Sequence, residues 1–153
     1  MPDIEKLHID IGASSKKEVE KMGISIGNQI TFDTNIEENG NRMIGKAVDD
    51  RAGLAIIIEL MSFVKDLELD YDLYIGASVQ EEVGLRGART MSYKINPDLA
   101  VAIDISPAKD IPAPSKVGDL GLGTYIRHKD AYTIYPKAVT QYLEELFTKN
   151  KIK

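Results

Sequence analysis

Apolar residues are scattered over the first 44 positions and then arrive in long runs, so the chain changes character near Gly45. In the first part, "ASSKKEVEKMG" predicts a short helix. Ser15 and Glu18 have capping-box spacing, and Gly23 stands where a left-handed C-terminal cap belongs. "NQITFDTNI" alternates weakly and predicts a strand, and "EENGN" after it is a turn signal. These short elements hold too little apolar mass to form a core alone.

Beyond Gly45, "RAGLAIIIELMSFVKDL" has helix length and is apolar on most sides, which predicts a largely buried helix. "YDLYIGASVQ" and "LAVAIDI" predict buried strands, with a helical piece around Arg86 to Tyr93 between them. A Pro- and Gly-punctuated loop runs from Ser106 to Gly123, and "GTYIRH" is a candidate further strand. "YPKAVTQYLEELFTKN" closes the chain as an amphipathic helix, with Val139, Tyr142, Leu143, Leu146 and Phe147 along one stripe. Apolar strands alternating with helices indicate parallel βαβ units. The expected class is therefore α/β, with a mainly parallel sheet and flanking helices over residues 45–153.

Acidic residues fall at the junctions of these elements. "KAVDDRAG" places Asp49 and Asp50 just before the long helix, "SVQEEVGLRGA" places Glu81 and Glu82 just after a strand, and "LAVAIDISPA" places Asp104 near the end of the next. Strand C-termini gather on one edge of a parallel sheet, where α/β proteins place ligands, so these acids are expected to converge. Close carboxylates cannot all stay ionised unless a cation neutralises them. Adjacent Glu81 and Glu82 project to different sides in extended structure, so one can bind a metal while the other faces the attacking water. Those are the parts of metal-assisted hydrolysis. The bland alternative for either doublet is turn or surface charge, whereas Asp104 inside "AVAIDI" either ends its strand or is buried and needs a partner.

Composition narrows the alternatives. At 153 residues, with 43% hydrophobic and 28% charged side chains, the chain falls in the range of one globular domain. The net charge of -5, with basic runs only at Lys16-Lys17 and Lys149 to Lys153, argues against a nucleic-acid partner. The absence of cysteine excludes disulfides, thiolate metal sites and Cys nucleophiles. No apolar stretch approaches the ~20 residues of a membrane span and "MPDIEKLHID" lacks a signal-peptide core, so a cytoplasmic protein without a membrane partner is expected. His8 and His128, the only histidines, have no ligand partner at short spacing. "GLGTY" lacks the Lys-Ser/Thr of a phosphate loop, and no serine stands in a G-x-S-x-G elbow.

With these segments in order, "LHIDIGASSKKEVEKMGISIGNQITFD", "GKAVDDRAGLA", "VQEEVGLRGA", "PDLAVAIDISPAKDIP" and "LGLGTYIRHKD", the chain resembles the middle of the tetrahedral (TET-type) dinuclear metallo-aminopeptidases. That family includes glutamyl and deblocking aminopeptidases, and some members carry an endoglucanase label. The resemblance implies an α/β/α sandwich interrupted by a β-rich inserted domain, with residues 1–44 as the tail of the insertion and 45–153 as part of the catalytic domain. It implies peptide substrates and two divalent metal ions (zinc or cobalt); sheet edges and apolar helix faces that further segments would cover predict self-association, so a homo-oligomer is expected. By resemblance Asp49 bridges the metals, Glu82 binds one and Asp104 the other, Glu81 is the general base, and Asp50 follows a cis peptide and orients the site.

The resemblance also implies two histidine ligands, in an early H-x-D motif and near the family's C-terminus, and neither motif occurs here. His8 and His128 match positions outside the ligand set. Weak or absent metal occupancy and low activity are therefore expected of a chain that looks like the central piece of a roughly twice-larger enzyme. A non-catalytic remnant keeping its fold and self-association is the alternative. Glycoside hydrolysis is the least favoured, because adjacent Glu81 and Glu82 do not flank a sugar from opposite sides.

Overall fold

The computed structural model describes residues 3–110, 112 and 118–153. Part of the loop read from Ser106 to Gly123, and the first two residues of "MPDIEKLHID", lie outside the described residues. The chain divides into two compact units, Met1–Lys46 and Ala47–Lys153.

In the first unit, helix α1 (Lys16–Lys21) starts where its cap predicts. The Ser15 hydroxyl accepts a bond from the Glu18 N–H at 3.3 Å, while Glu18 Oε2 reaches back to the Ser14 N–H at 2.7 Å. Gly23 follows with φ 79°, a left-handed conformation that a side chain disfavours. The expected strand "NQITFDTNI" is displaced. Pairing occurs instead between β1 (Glu37–Asn39) and β2 (Arg42–Ile44), antiparallel, with Glu37 opposite Ile44 and Asn39 opposite Arg42. The turn at Gly40 sets that register, because its φ of 63° suits a tight hairpin, and the segment before it has no partner strand among the described residues.

The second unit holds α2 (Val48–Val64), α3 (Arg86–Ile95) and α4 (Lys137–Asn150). On α4, Val139, Leu143, Leu146 and Phe147 are half-buried along the expected stripe, and Thr140 is buried. Its hydroxyl donates to the Lys137 carbonyl at 3.1 Å. α2 forms where it is expected but lies open, with Ile58 60% and Phe63 67% exposed and only Gly53 buried. A helix apolar on most sides belongs inside a layer, and the described residues supply none over it. The stretches 73–79 and 99–105, expected as strands, form no ladder, so β1 and β2 form the only sheet among the described residues. No helix of the described residues is long and apolar enough to cross a membrane.

Candidate metal centre

Local backbone devices hold each acid-bearing segment of the second unit. Asp49 (φ -83°, ψ 108°) and Asp50 (φ -117°, ψ 48°) are non-helical, and the peptide between them is cis. Regular helix therefore begins after Asp50, which caps it: the Gly53 N–H donates to Asp50 Oδ1 at 2.9 Å. Glu81 and Glu82 lie in the turn that leads into α3. The Glu81 carbonyl accepts from the Gly84 and Leu85 N–H groups at 3.1 and 2.9 Å, and the Gly87 N–H donates to the Val79 carbonyl at 2.9 Å. Gly87 is buried, and a Cβ there would collide with the Val79 backbone, so the chain passes itself at a distance only glycine permits. Asp104 stands in a stretch outside any helix or strand, with Oδ1 accepting from the Ile105 N–H at 2.7 Å.

One carboxylate oxygen from each of Asp49, Asp50 and Asp104 lies within 4.8 Å of the other two. Of the four residues expected as metal ligands or base, the structure thus joins Asp49 and Asp104 and sets Glu81 within electrostatic reach of both. Glu82 acts on Glu81 but is outside the close group, and Asp50 stands there instead. By resemblance Asp50 was expected to orient the site rather than to stand in the close group, and nothing in the doublet's sequence says which of the two acids meets Asp104.

The crowding is visible in the titration of two acids. Asp49 is held above its ordinary value of 3.8 by desolvation, then by the charges of Asp104 and Asp50, and by hydrogen bonding with the Asp104 side chain. Glu81 is held above 4.5 by desolvation, then by Glu82, Asp104, Asp49 and Asp50. Both side chains are open to solvent, so the like charges are what a bound cation would chiefly relieve. Three carboxylates and no imidazole form an all-oxygen set that fits a hard divalent cation better than zinc. Within the second unit, His128 Nε2 pairs with Glu144 at 3.0 Å and is outside this group. In the first unit, His8 Nδ1 pairs with the Lys6 carbonyl at 3.0 Å.

A second polar cluster went unnoticed in the sequence. Asp130 Oδ1 accepts from the Tyr132 and Thr133 N–H groups, each at 2.8 Å, and Oδ2 accepts from the Tyr135 hydroxyl at 2.9 Å. The Tyr132 and Tyr135 bonds, with that from Thr133 and the nearby Arg127, hold its carboxyl below the ordinary 3.8 against slight desolvation. Tyr135 is pushed up, first by burial and then by its bond to Asp130. Arg127 itself touches the Ser106 hydroxyl. Asp130 bonding the backbone two residues on is an Asx-turn, a turn preference of aspartate that could have revealed the bend, though not the tyrosine.

Against protein-family models the whole chain, residues 1–153, matches M42 glutamyl aminopeptidase. It is 39% identical over 155 residues to the glutamyl aminopeptidase of Lactococcus lactis, covering 100% of this chain and 43% of that protein. It is 40% identical over 123 residues to the lysyl aminopeptidase of Pyrococcus furiosus, covering 79% of this chain and 35% of that one. The chain thus spans under half the length of these curated relatives.

Proposed function

Because the chain belongs to the M42 glutamyl aminopeptidase family, we propose that it carries the acidic part of the centre of a metal-dependent aminopeptidase, which removes N-terminal residues from peptides. The meeting of Asp49, Asp50 and Asp104, drawn from separate segments, supports this most directly. Asp49, Glu82 and Asp104 hold the divalent cations in this proposal, with Glu82 swinging in from the turn before α3. A cation held there supplies Lewis acidity, which lowers the pKa of water toward neutrality and polarises a peptide carbonyl. Glu81, with its raised pKa, accepts the proton of the attacking water and delivers it to the departing amine nitrogen as the C–O bond forms and the C–N bond breaks.

The chain by itself is proposed to turn over slowly or not at all. No imidazole joins the close acids, and the apolar faces of α2 and of the 73–79 and 99–105 stretches lack a covering layer among the described residues. We propose that those stretches pair as parallel strands in the α/β arrangement expected from sequence once covered, and that the open faces drive self-association, to be read by light scattering. The lack of cysteine fits the cytoplasmic location that belongs to this proposal.

Hydrolysis of aminoacyl anilides tests the activity. The chain is assayed alone, with added divalent cations, and with the flanking segments of a full-length relative supplied as a second chain. Turnover only in the complemented sample is expected. Robust turnover by the chain alone, abolished in Glu81→Gln, would overturn the silence of the isolated chain. A folded, cation-loaded complemented sample without peptidase activity would overturn the catalytic assignment.

A further inference from the structure

We propose that Gly53 is a positioning residue of the acidic centre, its missing side chain forming the seat on which the Asp50 carboxylate lies beside Asp49 and Asp104. The inference rests on the metal-centre assignment of these acids and adds a residue to it.

Glycine is a poor choice in the first turn of a regular helix, where alanine is favoured. Backbone freedom does not explain it, because Gly53 belongs to α2 and is not among the glycines with positive φ. Space does explain it. A Cβ at position 53 would meet Asp50 Oδ2 and stand 2.6 Å from Oδ1 and 2.8 Å from Cγ, and no other group is as near. Gly53 is the one buried residue of an otherwise open helix, and the side chain nearest to the place of its absent Cβ is that of Asp50. Its N–H bond at 2.9 Å then fixes the carboxylate's direction. Any larger residue leaves the N–H in place but evicts the acid from above it. Asp50 would then swing off the cap and leave the 4.8 Å group it shares with Asp49 and Asp104.

Helix propensity and site geometry therefore predict opposite effects for one substitution, which makes the inference testable. The full chain is titrated with manganese(II) by calorimetry, and helix content is followed by circular dichroism. Gly53→Ala should weaken manganese binding by about 10- to 100-fold, the usual effect of losing an outer partner of a metal site, while helix content stays about level, because the propensity gained by alanine offsets the lost Asp50 cap. Asp50→Ala should also weaken binding, and adding Gly53→Ala to it should do nothing more. Unchanged affinity in Gly53→Ala, or an equal further loss in the Asp50→Ala background, would overturn the inference. Should Gly53→Ala lose helix content, recovery in the double variant supports a collision with Asp50, and no recovery overturns it. Should the parent chain alone bind no manganese, the same titrations are run with the flanking segments of a full-length relative supplied as a second chain, and no binding there either would defeat the metal assignment itself, and this inference with it.

Discussion

Asp49 and Asp130 are both aspartates at bends of the second unit, yet their surroundings push them in opposite directions. Asp130 is met by two backbone N–H groups, a tyrosine hydroxyl and a nearby guanidinium, and its carboxyl is held below the ordinary value. Asp49 is met by Asp50 and Asp104, and its carboxyl is held above it. One acid is satisfied by the turn it sits in and serves structure. The other is placed among acids whose charges oppose its own, the setting in which the proposed cation would offset the repulsion.

The widest separation of the two regions should appear in turnover. In the complemented enzyme, Glu81→Gln is expected to lower the rate of anilide hydrolysis by about 10²- to 10⁴-fold, the usual worth of a general base, while Asp130→Asn leaves it within a few fold. A Glu81→Gln enzyme of near-normal rate would remove the base assignment. Cation affinity comes next. Asp104→Asn should lose manganese affinity by more than the about 10- to 100-fold typical of an outer partner, and Asp130→Asn should leave the titration unaltered. Equal losses in both would erase the distinction between site and brace.

Acidity gives a smaller effect with opposite signs. Asp49 and Glu81 have folded pKa values raised above 3.8 and 4.5, so the native state binds their protons more tightly than the unfolded state. Their contribution favours folding below those values and is lost as pH rises through the raised folded pKa. Asp130 is lowered, so its contribution is present above 3.8 and is lost as pH falls through the depressed folded value. At neutral pH without cation, Asp49→Asn should therefore raise the melting temperature and Asp130→Asn lower it, each modestly because the groups are solvent-screened. Added manganese should cancel the gain of Asp49→Asn. Melts with the same sign for both variants would contradict the electrostatic picture. The least effect belongs to His128→Ala. Its bond to Glu144 joins side chains 56% and 50% exposed, and stability should change by less than about 1 kcal/mol in chemical denaturation.

Short-range features were legible in the residues themselves. The Ser15 cap, the turn at Gly40 and the extents of α3 and α4 follow from hydrogen bonds and backbone angles spanning a few positions, and the chain states these directly. The three acid-bearing segments were legible too, as doublets and an isolated acid beside apolar runs. The expected strand "NQITFDTNI" was not, because a strand exists only through its neighbour, and the neighbours here chose 37–39 and 42–44.

What the sequence alone determined is which residues carry chemistry: carboxylates at element junctions, no thiols, and family motifs that mark a peptidase. Tertiary structure alone decided which carboxylates meet. It put Asp50 rather than Glu82 beside Asp49 and Asp104, laid that acid on Gly53, and gave Asp130 to Tyr135. The physical reason is range. Capping and turns are settled by neighbours along the chain, whereas the mutual approach of like charges is fixed by distant segments whose backbones must first be folded into place.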